Sequence, residues 1–179
     1  GEAAHAGQLE DYGVYALALL GLYRATFRTE YLRAAILRAE QMEKYFKGDG
    51  EGYYVTASDE TPLIVRLRET WDGAMPSGNS VAALVLCSLW NLTGEEKWQE
   101  AAQQQLEFLA GACEEYPAGH SFALLAMEDV LHPHRELLCA TRDGVPQVLR
   151  RYLDENPAYG LSVLVKTPEN ADLLAQLAP

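Results

Sequence analysis

The chain nearly repeats itself, and that repeat restricts it to a fold of paired helices. Leu22-Tyr23-Arg24-Ala25-Thr26, followed by Tyr31 and Ala34-Ala35, aligns with Leu89-Trp90-Asn91-Leu92-Thr93, followed by Trp98 and Ala101-Ala102. The shared form L-[YW]-x-x-T-x4-[YW]-x-x-A-A recurs at an offset of 67 residues. It spans a helix, a tight turn and a second helix, which makes each copy an αα-hairpin. The first helix of each copy carries few or no charges: Gly13 to Tyr23 and Val81 to Trp90 have none. The second, Tyr31 to Phe46 and Lys97 to Leu109, sets apolar residues three and four apart with charges between them. Apolar helices alternating with one-sided ones predict two layers, an inner layer covered by an outer layer that shows one face to water. Helices are expected near 11–26, 29–46, 79–92, 95–114 and 117–131, the last beginning at the apolar Ser121 to Leu131 stretch.

Each inner helix opens on a polar or aromatic cluster. Glu10-Asp11-Tyr12 precedes the first, Glu69 to Ser80 the second, and Tyr116-Pro117-Ala118-Gly119-His120 the third. Parallel inner helices would bring these clusters, and three positive helix ends, to one rim. The segment Glu69-Thr70-Trp71-Asp72-Gly73-Ala74-Met75-Pro76-Ser77-Gly78-Asn79-Ser80 is the densest of them. Ser77 or Asn79 suits the helix cap.

These residues resemble a family. Leu9-Glu10-Asp11-Tyr12 with Gly21-Leu22-Tyr23 and Ala25-Thr26, Trp71-Asp72-Gly73-Ala74 with Pro76-Ser77-Gly78-Asn79-Ser80 and Ala82-Ala83, and Tyr116-Pro117 together resemble the C-terminal part of YyaL-type proteins. That family joins a thioredoxin-like domain to an (α/α)6 toroid similar to that of N-acylglucosamine 2-epimerase. The resemblance covers roughly residues 8 to 178. It implies a mainly α fold, a partial (α/α)6 toroid, and a chain that is a section of a longer protein whose thioredoxin-like domain lies upstream. His120 departs from the aromatic residue that relatives carry, so a role for it is not implied by the family. Shape alone does not assign an activity.

Two regions break the helical texture. Tyr53-Tyr54-Val55-Thr56 and Leu63-Ile64-Val65-Arg66-Leu67 predict a short β-hairpin across the loop from Ala57 to Pro62, with Arg66, Arg68 and Glu69 facing a pocket or stiffening the loop by an ion pair. At the C-terminus, strands at 136–141 and 161–166 flank a helix over 145–154, and Pro168 opens a last helix capped by Thr167, a small βαβα appendage. The domains are expected to be 1–131, helical hairpins, and 132–179, the α/β appendage.

The net charge is −12, and residues 69 to 131 hold ten acidic side chains against Lys97 alone. This argues against a nucleic-acid partner, whose phosphates need a basic face. No apolar run of membrane-spanning length occurs, and Cys87, Cys113 and Cys139 are scattered without a zinc or redox spacing. No metal, no cofactor, no membrane insertion and a cytoplasmic location are therefore expected.

The rim chemistry fits a carbohydrate-like small molecule. Asp11 and Asp72 are the preferred catalytic pair, with helix capping as the structural alternative. Carboxylates roughly 5–5.5 Å apart suit retention and about 6.5–9.5 Å inversion. Glu10, Tyr12, Glu69, Trp71, Ser77, Asn79, Ser80, Tyr116 and His120 complete the substrate-binding set. A sugar epimerase, isomerase or glycosidase is one reading. The other is a non-catalytic scaffold or ligand-binding module partnering a thioredoxin-like domain. An uncovered flank near Tyr15, Leu19 and Leu22 is expected either to drive self-association or to be covered by the tail.

Overall fold

A computed structural model describes residues 6–60, 64–132, 135–155 and 161–174. The first hairpin is α1 (Leu9–Thr26) and α2 (Thr29–Tyr45), and the second is α3 (Gly78–Thr93) and α4 (Glu96–Glu115). A 3-10 turn at Pro117–Gly119 leads into α5 (Ser121–Leu131).

The repeated motif has one structural meaning in both hairpins. The Thr26 hydroxyl donates to the Leu22 carbonyl at 2.7 Å and accepts from the Arg28 amide at 3.3 Å. Thr93 does the same with Leu89 at 2.8 Å and Glu95 at 3.3 Å. Each threonine thus closes its helix and holds the start of the turn. The C-cap residue is left-handed in both, Phe27 at φ 57° and Gly94 at φ 67°. Its amide donates to the carbonyl of the motif aromatic, Tyr23 or Trp90. Glycine suits that position, whereas Phe27 carries a backbone cost of about 1–2 kcal/mol.

Helices α1, α3 and α5 lie side by side and parallel. Gly78 abuts Leu9, Gly13 abuts Val81, and near the other ends Arg24 donates to Ser88 Oγ at 2.9 Å. Asn91 Nδ2 donates to Asp129 Oδ2 at 3.1 Å, and the Cys87 thiol faces the Ala126 carbonyl. Helix α3 is buried along its length except at Leu84, Trp90 and Asn91, whereas α4 buries one face. Helix α1 buries a stripe of Leu9, Gly13, Ala16, Leu19, Leu20 and Tyr23. Val14, Tyr15 and Leu22 stay exposed, because α2 and α3 cover only two of its sides. Leu19, expected on the open flank, lies on the covered side at 5% exposure.

The expected β-hairpin does not form among the described residues. Tyr53 directs its amide and carbonyl to the Asn79 side chain at 2.8 and 3.0 Å, which removes the groups a ladder needs. An antiparallel bridge to Lys47 and a bond from the Val55 amide to Leu67 remain. Leu63, which the expected second strand includes, lies outside the described residues. Arg66 and Arg68 both stack on Tyr54, 4.1 and 4.0 Å from its ring centroid, so they stiffen this loop.

The tail forms β1 (Arg135–Ala140), α6 (Gln147–Glu155) and β2 (Leu161–Lys166), with the strands parallel and Arg135 opposite Leu161. Residues 168–174 make turns rather than the expected helix. The buried Asn170 accepts from the Thr167 amide at 2.7 Å and donates to the Val165 carbonyl at 2.8 Å, and this local ring competes with helical bonding. The tail meets the turn between α1 and α2, where Arg33 holds both Asp172 oxygens at 2.8 and 3.0 Å. Tyr23 lies beside the Val165 backbone, and burial raises its hydroxyl above the ordinary pKa. Docking there leaves Tyr15 and Leu22 uncovered. No helix among the described residues is long and apolar enough to cross a membrane.

The hydrogen bond from Arg33 holds the Asp172 carboxyl below its ordinary pKa. A depressed carboxylate contributes stability above its unfolded pKa and loses it as pH falls through the folded value. Docking of β2 is therefore expected to loosen as acid takes the pH below the ordinary aspartate value. A fall in amide protection factors at 163–165 in acid, abolished as a pH effect by Asp172→Asn, checks this.

Candidate functional site

The start of α3 organises the rim. Ser77 caps it, its hydroxyl oxygen accepting from the Ser80 amide at 3.1 Å and bonding the Ser80 hydroxyl at 2.9 Å. Asn79, fully buried, accepts from Tyr53 and from Gln105 Nε2 at 2.9 Å, and donates to the Glu69 carbonyl at 2.8 Å. Ser77, Asn79 and Ser80 are all buried, with their polar atoms engaged inside the protein. They shape the rim from beneath.

Asp72 joins two helix starts. Oδ1 accepts from the Ser77 amide at 2.9 Å, ahead of α3, and Oδ2 accepts from the Phe122 amide at 2.8 Å in the first turn of α5. A carboxylate suits both positions because these amides sit at the positive ends of their helices. Asp11 accepts from the Gln8 amide at 2.8 Å, closing the first turn of α1. Two residues beyond Leu9, it lies about 200° around the helix from the side that meets Gly78. It lines a shallow recess with Tyr12, Tyr15 and Arg38 instead. Tyr12 packs edge-on against Phe46 at 5.1 Å.

Glu10 and Glu69 are differently placed. Both are exposed, and neither forms an ion pair among the described residues. The Glu10 backbone passes Gly78, and the Glu69 backbone is tied to Asn79, so adjacent residues of α3 anchor the two acids.

The aromatic part of the rim is a stacked pair. Trp71 and Tyr116 lie 5.3 Å apart at 7°, and each is 51% exposed. His120 meets Trp71 edge-on at 5.9 Å and is buried at 5% exposure. Its Nδ1 donates to the Tyr116 carbonyl at 2.9 Å, which leaves Nε2 to the Thr70 hydroxyl at 3.3 Å. Gly119 lies under the indole, where a Cβ would come within 2.4 Å of Trp71 Cζ3. Gly119→Ala is therefore expected to push the indole off Tyr116 without removing any aromatic. A changed Trp71 emission with an intact far-UV CD spectrum checks this.

Gln105, Tyr53 and Thr70 also build the site, and the sequence reading did not single them out. Gln105 had a signal: it occupies the apolar phase of α4, four residues from Ala101 and from Leu109. Cys87 and Cys113 are buried, and burial pushes the Cys87 thiol up to about 12, with Asp129 adding to the rise. Such a thiol is unreactive at neutral pH. Among the described residues no group of three or more His, Cys, Asp or Glu side chains is placed to hold a metal ion.

No family model matches the chain. It is similar to spermatogenesis-associated protein 20 of Rattus norvegicus, with 38% identity over 96 residues, covering 52% of this chain and 12% of that protein. The Homo sapiens protein of the same name is 35% identical over 96 residues with the same coverage. An uncharacterized protein of Caenorhabditis elegans is 32% identical over 95 residues, covering 53% of this chain and 13% of that one. The matched region thus covers about an eighth of these relatives. Among solved structures, the glycoside hydrolase family 76 mannosidase of Bacteroides thetaiotaomicron aligns at 20% identity with a TM-score of 0.44, over 59% of this chain and 27% of its own.

Proposed function

We propose that this chain is the helical part of a YyaL-type protein, a section of an (α/α)6 toroid over 1–131 with an α/β appendage over 132–179. In this reading the rim at the inner-helix N-termini binds a carbohydrate-like ligand. The stacked Trp71–Tyr116 pair carries the proposal. Stacking covers the facing sides of the two half-exposed rings and leaves an outer ring face and their edges open, an apolar surface that suits the C–H face of a sugar ring. Glu10 and Glu69, which have no ion-pair partner among the described residues, stand on the same rim as acceptors for hydroxyl groups. The buried thiols Cys87 and Cys113 support a reducing, cytoplasmic setting.

Binding without catalysis is favoured by one observation: both oxygens of Asp72, one of Asp11, and both ring nitrogens of His120 are engaged by neighbouring protein groups. A second reading, general acid–base catalysis, then falls to Glu10 and Glu69, the rim carboxylates free of such partners. Titrating neutral hexoses, amino sugars and short mannosides against tryptophan emission tests the proposal. The expected result is saturable quenching by at least one of them that Tyr116→Ala weakens, and the absence of quenching across the panel would overturn it. Hydrolysis or epimerisation of the bound sugar, lost in Glu69→Gln with binding retained, would establish the catalytic reading.

A further inference from the structure

We propose that the cleft between the α1–α2 turn and the carboxyl edge of the β1/β2 sheet binds a small organic phosphate, at a site independent of the rim. The cleft encloses about 490 Å³, and Arg28, Arg33 and Arg150 all line it. Parallel strands leave such a crevice beyond their carboxyl ends, and ligands of open α/β units bind there. Here residues 26–30 and Arg33, around the α1–α2 turn, line its other side.

The three guanidiniums differ in how far they are already committed. Arg33 is fixed by Asp172 and by the Glu169 carbonyl, so it is held rigidly, with donors left over. Arg28 contacts Glu30 at 2.6 Å through one nitrogen, which leaves the rest of its fork free. Arg150 is exposed and has no carboxylate partner among the described residues. Thr167 also lines the cleft, and its amide is tied to Asn170 Oδ1 at 2.7 Å, which fixes this wall.

The remaining wall selects the kind of anion. Phe27 and the half-buried Val145 line the same cleft, which gives an apolar wall beside the cations. Forked arginine donors match phosphate oxygens in pairs. An apolar body carrying a phosphate therefore uses both walls, and inorganic phosphate uses one. Glu30 and Glu169 also face the cleft and oppose an anion, so the site holds a balance that single substitutions can tip in either direction.

Isothermal titration calorimetry with phenyl phosphate, inorganic phosphate and benzyl alcohol tests the proposal on the whole chain. Phenyl phosphate is expected to bind more tightly than inorganic phosphate, and benzyl alcohol not to bind. Arg150→Gln and Arg28→Gln should each weaken phenyl phosphate by roughly ten-fold, the loss typical of one hydrogen bond to a charged group. Glu30→Gln should tighten it. A gain of affinity cannot come from a misfolded protein, so that variant remains decisive if an arginine variant proves unstable. No heat with phenyl phosphate at millimolar concentration, equal binding of the two phosphates, or affinity unchanged by all three substitutions would overturn the site.

Discussion

Replacing Asn79 by Ala is expected to lower stability by about 4 kcal/mol, read as a fall in the urea midpoint at unchanged slope. Asn79 is fully buried and joins three segments. It holds the amide and carbonyl of Tyr53, the carbonyl of Glu69 and the amide of Gln105. Removing the side chain orphans both Tyr53 groups, and each buried orphan costs about 1–3 kcal/mol. Gln105 suffers less, because it retains the Asn79 carbonyl at 3.0 Å. Asn79→Asp separates donors from acceptors. It keeps the acceptor for Tyr53 and Gln105, loses both donors, and sets a carboxylate against two carbonyl oxygens. That variant should be at least as unstable as Asn79→Ala at neutral pH. Gln105→Leu should cost less than either, about 1–2 kcal/mol, since Asn79 Oδ1 keeps the Tyr53 amide. A combined Asn79→Ala, Gln105→Leu variant is expected to fall short of the sum, because the two side chains share one network. A mild Asn79→Ala would show that the loop from Tyr53 to Glu69 is held by other contacts.

This network also shows which parts of the structure the sequence discloses. The helices follow from periodicity, and the first four lie within about three residues of their expected bounds. The repeat discloses more than location, because the same threonine closes both hairpins through the same two bonds. Tail strands and their pairing are likewise legible, since alternating apolar runs around a helix leave few arrangements. The expected hairpin at Tyr53 fails for a reason no local pattern holds: a side chain 26 residues away takes the backbone groups the ladder required. The same distance problem applies to the rim. Glu10, Asp11, Glu69 and Asp72 are equivalent as residue types, and only tertiary placement separates acids bonded to amides from acids left free. Phe27 shows the converse limit, since nothing about a phenylalanine announces a left-handed backbone.

Close approach of α1 to α3 depends on Gly78, and Gly78→Val is expected to cost about 3 kcal/mol, at the upper end of overpacking penalties. A Cβ at this position would lie 2.9 Å from Leu9 Cγ and Cδ2 and 3.0 Å from the Glu10 amide nitrogen. Leu9 is 1% exposed and has no room to turn away, and the Glu10 contact is backbone, so relief requires moving the start of α1 itself. Gly13 faces the same helix under a softer constraint. Its nearest neighbour would be Val81 Cγ1 at 3.2 Å, a side-chain atom that can yield by a few tenths of an ångström. Gly13→Ala also gains helix propensity worth about 1 kcal/mol, so its net effect should lie near zero. Gly21 has nothing within 4 Å and is exposed, so Gly21→Ala should stabilise by up to about 1 kcal/mol. The three substitutions therefore rank by what the new carbon meets, against the propensity scale, which ranks alanine and valine alike above glycine. The displacement has a consequence at the rim as well. Shifting the first turn of α1 carries Glu10 away from Glu69 while leaving Trp71 and Tyr116 in place. If both acids contact the sugar, Gly78→Ala, the gentler variant, should weaken binding more than its stability loss accounts for. Equal affinity in a folded Gly78→Ala protein would assign recognition to the aromatic pair alone.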